Sequence, residues 1–228
     1  MKTASFHSRM ARMALLLGVV ALLSACATTP TPIRQNEYLA FRESRPRSIL
    51  VLPPINHSPE TNASLSLLSS TTRPLAEAGY YVIPVTLSEE TFRQNGVTVP
   101  EEAQGIARIR LREIFGADAA LHIVVERYGA SYRLIESVVE AVASARLVDL
   151  RSGQELWSGR VTVVESSNQG GSNNGLVGML LNAALSQIVN HISDRSYLMG
   201  RAASSRLLSA GRPEGILYGP YHPRYESD

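Results

Sequence analysis

The sequence predicts an α/β fold of mixed α+β character, a single domain in which a mixed sheet is flanked by helices. Three observations predict it. A continuous apolar run at 48–52, closed by Pro53-Pro54, suits a central strand buried on both faces. Segments of helical period and short apolar runs then alternate as far as residue 125. From 132 to 165 the period becomes two, the pattern of a long hairpin.

Residues 27–47 are rich in Thr, Pro and charge and lack periodicity, which predicts a flexible tether ahead of a folded domain over 48–210. A polar loop at 55–62 follows the first strand. Thr61 or Asn62 can then cap a helix over 63–78, with Leu65, Leu68, Leu75 and Ala76 on its apolar face and an imperfection at Pro74. Residues 80–85 read as a second strand, which Pro84 places at an edge or a strand end. Ser88 and Thr91 can cap a short helix ending at Gln94. Pro100-Glu101-Glu102 opens another, with proline and acids in its first turn, running through Ile106, Ile109, Leu111 and Ile114 to Phe115-Gly116.

A third strand covers 119–125 and turns at Gly129-Ala130. In the hairpin, Val139, Ala141, Ala143, Ala145 and Leu147 alternate with Val138, Glu140, Val142, Ser144 and Arg146. Residues 149–154 supply its reversal. A polar glycine-rich loop at 166–175 precedes a helical pattern over 176–208 through Leu181, Leu185, Ile188 and Ile192, broken or bent near Met199-Gly200. Residues 211–228 form an irregular carboxyl-terminal tail.

The first 25 residues are of a different kind. Lys2, Arg9 and Arg12 precede an apolar run from Met13 to Leu23, about 11 residues where a bilayer span needs roughly 20. Leu23-Ser24-Ala25-Cys26 closes the run. Basic start, short apolar middle and small residues predict a signal peptide over 1–25, and the cysteine at the cut makes the site a lipobox. Cys26 then becomes the first mature residue, acylated on its thiol and amino group, and 26–47 the lipidated tether.

Cleavage changes the chemistry open to the chain. The leader holds three of the 22 basic residues and none of the 20 acids, so the mature balance is 19 against 20 and gives no case for nucleic acid. Lys2 is the only lysine, so a Walker-type phosphate loop, a Schiff base and a Ser–Lys dyad all lack their cation. Cys26 is the only cysteine, so the domain rests on its core without disulfides.

Four histidines follow the leader: His57, His122, His191 and His222. No two have metal-ligand spacing, and neither a metal site nor a cofactor site is predicted. The loop Asn56-His57-Ser58 lies after the first strand, where α/β domains bind ligands, and is a candidate ligand or partner loop; a polar turn explains the same residues. The Gly170–Gly175 segment has the wrong glycine spacing for a dinucleotide fingerprint, and no nucleophile elbow fits it. From Ser166 to Ser193 no charged residue occurs, which fits a partner- or membrane-facing stretch or a helix buried on the sheet. No catalytic constellation emerges.

The stretch from Arg47 through Leu52-Pro53-Pro54-Ile55-Asn56-His57-Ser58 to Thr61, after a lipobox, resembles an uncharacterised family of bacterial lipoproteins that includes surface-exposed vaccine-candidate antigens. The stretch Ala145 to Gly159, with Asp149, Gly153, Leu156 and Trp157, is similar to segments of CsgG, LpoB and the TolB amino-terminal domain. The resemblance implies a TolB-amino-terminal-like sheet domain engaged in envelope protein–protein interactions, with no catalytic residues to carry over. The expectation is a non-enzymatic lipoprotein, held by Cys26 in the outer membrane because Ala27 rather than Asp follows it. Its domain would bind envelope proteins or self-associate. The alternative is an accessory ligand- or lipid-binding component of an envelope transport or secretion system.

Overall fold

The first strand, β1 (Ser48–Val51), is buried on both faces, its Ile49, Leu50 and Val51 essentially solvent-free. The computed structural model describes residues 38–133, 136–166 and 192–227. The leader, Cys26, the predicted tether as far as residue 37, most of the glycine-rich loop and the helical pattern over 176–191, with His191, lie outside the described residues.

Strand order in the sheet is β3 (Tyr81–Val82), β1, β4 (Ala119–Arg133), β5 (Glu136–Asp149), β6 (Glu155–Ser166). β1 runs parallel to β3 on one side and to β4 on the other. After the Pro53-Pro54 break, β2 (Ile55–Asn56) rejoins β4 in parallel. β4, β5 and β6 then form an antiparallel meander. The sheet is therefore mixed, as the change of period predicts.

Helices cover both faces at the parallel end. On one face α2 (Ala63–Glu77) and α6 (Ile192–Leu208) pack over Ile49, Val51, Leu121, Ile123 and Leu147, contributing Leu67, Leu75, Met199 and Leu207. On the other, α3 (Val85–Gln94), α4 (Pro100–Gly105) and α5 (Arg108–Phe115) bring Phe92, Ala103 and Leu111 against Leu50, Leu52, Ala120 and Leu150. Beyond that second cluster, Arg146, Ser158, Arg160, Thr162 and Val164 are exposed, so the outer half of the meander presents one face to water. The described residues all belong to the compact unit Glu37–Asp228.

Several elements differ from expectation, each for a physical reason. The folded body begins before residue 48. Helix α1 (Leu39–Ser44) buries Phe41 against Tyr80, and Ser44 Oγ donates to the Asp149 carboxylate. The tail is likewise built in: Ile216 is buried, Gly219 N donates to Ala78 O at 2.8 Å and Tyr221 N to Gly79 O at 3.1 Å. In α2, Leu65 and Ala76 face water and the core side is Leu67, Leu68, Thr71, Pro74 and Leu75; Asn62 stands at the cap without a side-chain bond.

Ser88 and Thr91 are not caps. α3 starts directly after Pro84, and both hydroxyls donate back to carbonyls of the preceding turn. Pro100 opens two helices rather than one, broken at Ile106-Ala107, with Ile109 and Ile114 exposed. β4 passes through Gly129-Ala130 without turning, because β5 pairs with it through to Arg133↔Glu136. α6 runs unbroken through Met199-Gly200. Glycine is needed there for closeness, since a Cβ would stand 2.7 Å from Ser66 Oγ and 2.9 Å from the Tyr128 hydroxyl on the elements beneath.

Candidate functional site

The loop after β2 folds around one side chain. Asn56 Oδ1 accepts from Ser58 N at 2.9 Å and Ser58 Oγ at 2.7 Å, and Asn56 Nδ2 donates to Glu60 O at 2.8 Å. This is an Asx turn, so Asn56 and Ser58 spend their polar groups on the loop itself. His57 is exposed, tied down through its backbone N–H to Val125 O at 2.9 Å. The three residues are thus adjacent, with Asn56 and Ser58 bonded to each other within the loop and His57 exposed.

Immediately beside this loop an open groove runs between α2 and α3. One stretch, of about 620 Å³, is lined by Glu60, Asn62, Leu65, Val85 and Tyr197. The adjoining stretch, of about 580 Å³, reaches Pro54, Phe92 and Val99, and Leu65, Leu68, Thr86 and Glu89 belong to both. Burial pushes the Glu89 carboxyl above its ordinary range. Leu65 and Leu87 are more than half exposed on the two helices. The groove is apolar in its walls and acidic at its rim, which suits a partner segment carrying apolar and basic side chains.

His122 sits on β4 behind the opposite sheet face, with Nδ1 3.3 Å from Gln104 Oε1. Gln104 Nε2 donates to Pro53 O and Ile123 O, both at 2.9 Å, so the amide pins α4 to β4 and to the Pro53-Pro54 break. Burial, with the Arg146 charge adding to it, lowers the His122 pKa to about 4. A neutral imidazole in a packed amide contact is a structural group here. Among the described residues no three His, Cys, Asp or Glu side chains gather where a metal could bind. No helix among them is long and apolar enough to cross a membrane.

The segment from Asp149 to Gly159 resolves into parts with separate tasks. Asp149 Oδ1 accepts from Arg151 N at 2.6 Å and Ser152 N at 2.8 Å, closing the turn. Burial alone would raise this carboxyl, but the hydrogen bonds from Ser44, Ser152 and Arg151 outweigh it and bring the pKa down to about 2. Trp157 lies across Gly159, where a Cβ would collide with the indole ring, and Trp157 Nε1 donates to Glu214 O at 2.9 Å. These residues hold strand, turn and tail together.

A sequence model of the family described as "Putative lipoprotein GNA1162-like" matches residues 36–221. The chain belongs to that family. Relatives of this GNA1162-like chain include the "Putative lipoprotein NMB1124/NMB1162" of Neisseria meningitidis serogroup B, 47% identical over 208 residues, which span 90% of this chain and 95% of the relative. The crystal structure of lipoprotein GNA1162 from Neisseria meningitidis superposes with a TM-score of 0.52 at 50% identity, covering 64% of this chain and 99% of that one.

The carboxyl-terminal domain of LpoB from Salmonella enterica gives a TM-score of 0.39 at 18% identity, over 51% of this chain and 82% of that one. At that score the likeness says nothing of what the GNA1162-like chain binds. Membership makes the chain an envelope lipoprotein, lipid-anchored at a membrane. The groove between α2 and α3 was not foreseen from the sequence. Its signal is Leu65, an apolar side chain more than half exposed on α2.

Proposed function

We propose that the protein is held by acyl groups on Cys26 in the outer membrane, and that its folded domain is a non-enzymatic interaction module of the cell envelope. The observation that carries the anchor is Leu23-Ser24-Ala25-Cys26 at the end of a short apolar run, in a chain of a lipoprotein family. Ala27 supports retention in the outer rather than the inner membrane. The groove between α2 and α3, with the exposed Leu65 in its wall and Glu89 at its rim, supports protein docking. Its place beside the Asn56-His57-Ser58 loop, where the first strands end, favours a second reading in which the same groove takes a small ligand or lipid of a transport system.

Two experiments test this. Cys26→Ser followed by membrane fractionation should release the protein and stop its processing; a variant still processed and found in the outer membrane would sink the anchor. A photo-crosslinking residue at Leu65 should capture a defined envelope protein in intact cells, and one at Ile109, exposed on α5, should not. Equal capture at both positions would remove the groove as the docking site.

A further inference from the structure

We infer that the surface where the tether joins the domain is a second membrane contact, a face of α1 and the carboxyl-terminal tail that rests on anionic phospholipid headgroups. The inference builds on the lipid-anchor reading, because the anchor is what brings this face to a bilayer. Tyr38, the residue where the fold begins, stands 12 positions after Cys26. A chain of that length reaches at most about 40 Å when fully extended. This end of the domain is therefore kept near the surface, at a high effective concentration, and a weak attraction suffices to dock it.

The chemistry of the face matches an interface with charged lipid. A cavity of about 240 Å³ opens between α1 and the tail, walled by Phe41, Tyr80, Tyr218 and Tyr225, with Arg42 and Arg45 at its mouth. Arg45 is 67% exposed even while paired with Glu226 at 3.4 Å, and the Arg224 guanidinium lies 4.8 Å from the Tyr218 ring centre. Tyr221, 67% exposed, belongs to the same tail segment.

Arginine presents a flat, weakly hydrated fork that matches phosphate oxygens. Tyrosine is at home at headgroup level, with an apolar ring and a polar tip. Glu226 lines the same cavity and reduces its charge, so the attraction is that of a few arginines and falls with salt. The α2–α3 groove carries Glu60, Glu89 and Glu90 against Arg93, itself paired with Glu90, so it is net acidic and has no such attraction for an anionic surface.

The test uses the acylated full chain, reconstituted on vesicles of phosphatidylcholine alone or with phosphatidylglycerol added. Flotation reads the anchor, and amide hydrogen exchange over 39–46 and 216–226 reads the face. The expected result is flotation with both vesicles but slowed exchange of these segments only on the anionic ones, reversed by about 0.5 M salt. Changing Arg42, Arg45 or Arg224 to Glu should reduce the docked population by about five-fold or more per position.

Tyr221→Ser, at an exposed position, should weaken docking with an unchanged melting temperature, which keeps the test independent of any folding defect in the arginine variants. Equal exchange on the two vesicles overturns the inference. So does protection that needs a second envelope protein and ignores the lipid, which would assign the face to protein. Flotation lost on neutral vesicles, with anionic protection retained, would support this face and sink the anchor.

Discussion

Trp157 is the only tryptophan in the chain, so its emission reports directly on the contact with Gly159 and Glu214. Gly159→Ala places a methyl group where the indole lies, and the backbone on both sides is held in the sheet. Overpacking of this kind costs about 1–3 kcal/mol. The variant should show a red-shifted emission and a lower urea midpoint; unchanged emission would mean that the ring does not lie there. His122 and Asp149 give the residue scale its pH dependence. His122 has a folded pKa of about 4 against an ordinary 6.5, so the unfolded chain takes the proton first. Stability therefore falls as pH drops from about 6.5 to about 4, on the order of 3 kcal/mol in all. Asp149 acts lower: its folded value of about 2 stabilises above its ordinary 3.8, and that contribution is lost between there and pH 2. His122→Asn should flatten the upper window in urea titrations between pH 7.5 and 4.5 and leave the lower one in place.

Among the elements, those with their own period were legible and those defined by their partners were not. β1, α2 and the β5–β6 hairpin announce themselves through local pattern: a bare apolar run, a helical period whose buried side is offset from the predicted one, an alternation. The Asn56-His57-Ser58 loop was legible as a polar turn for the same reason, since an Asx turn is a local event. α1 has six residues and no stripe long enough to read, and it is fixed by Phe41 on Tyr80 and Ser44 on Asp149, contacts far away in sequence. The tail likewise is shaped by Gly79 and Trp157, and the groove exists only because α2 and α3 meet. Gly200 shows the same point inside a helix. Read locally it is a break, and in three dimensions it lets α6 approach Ser66 and Tyr128. Gly200→Ala should gain about 1 kcal/mol of helix propensity and still lower the melting temperature, because three atoms would stand within about 3 Å of the new methyl. A higher melting temperature would show that α6 can shift away without cost.

On the scale of the whole molecule, the domain is closed by its two ends. Tyr38 donates to Gly215 O at 2.7 Å across 177 positions of sequence, and Ile216 is buried beside Leu208 in the same cluster. Removing residues 211–228 therefore strips the fold of a buried side chain, the acceptor for Trp157 Nε1 and the strap over Gly79. The loss should amount to at least about 2–3 kcal/mol from Ile216 alone. Thermal unfolding of the truncated chain checks this; a melting curve identical to that of the full chain would make the tail an accessory. Such a truncation also separates the two surfaces, since it removes Arg224 and Tyr221 while leaving the α2–α3 groove in place.

Helix α1 gives the fold a mechanical character. On the proposed reading, in which Cys26 carries the anchor and the domain docks a partner, any pull between membrane and partner reaches the domain at Tyr38. The load passes first to the Tyr38 hydroxyl, then to Phe41 in its pocket, then to Ser44 on the Asp149 carboxylate. β1 follows in the chain, paired with β3 at Ser48 and Ile49 and with β4 from Ile49 to Val51. Under tension α1 would peel away first, lengthening the leash by several residues while the sheet stays whole. It is a shock absorber built into the joint.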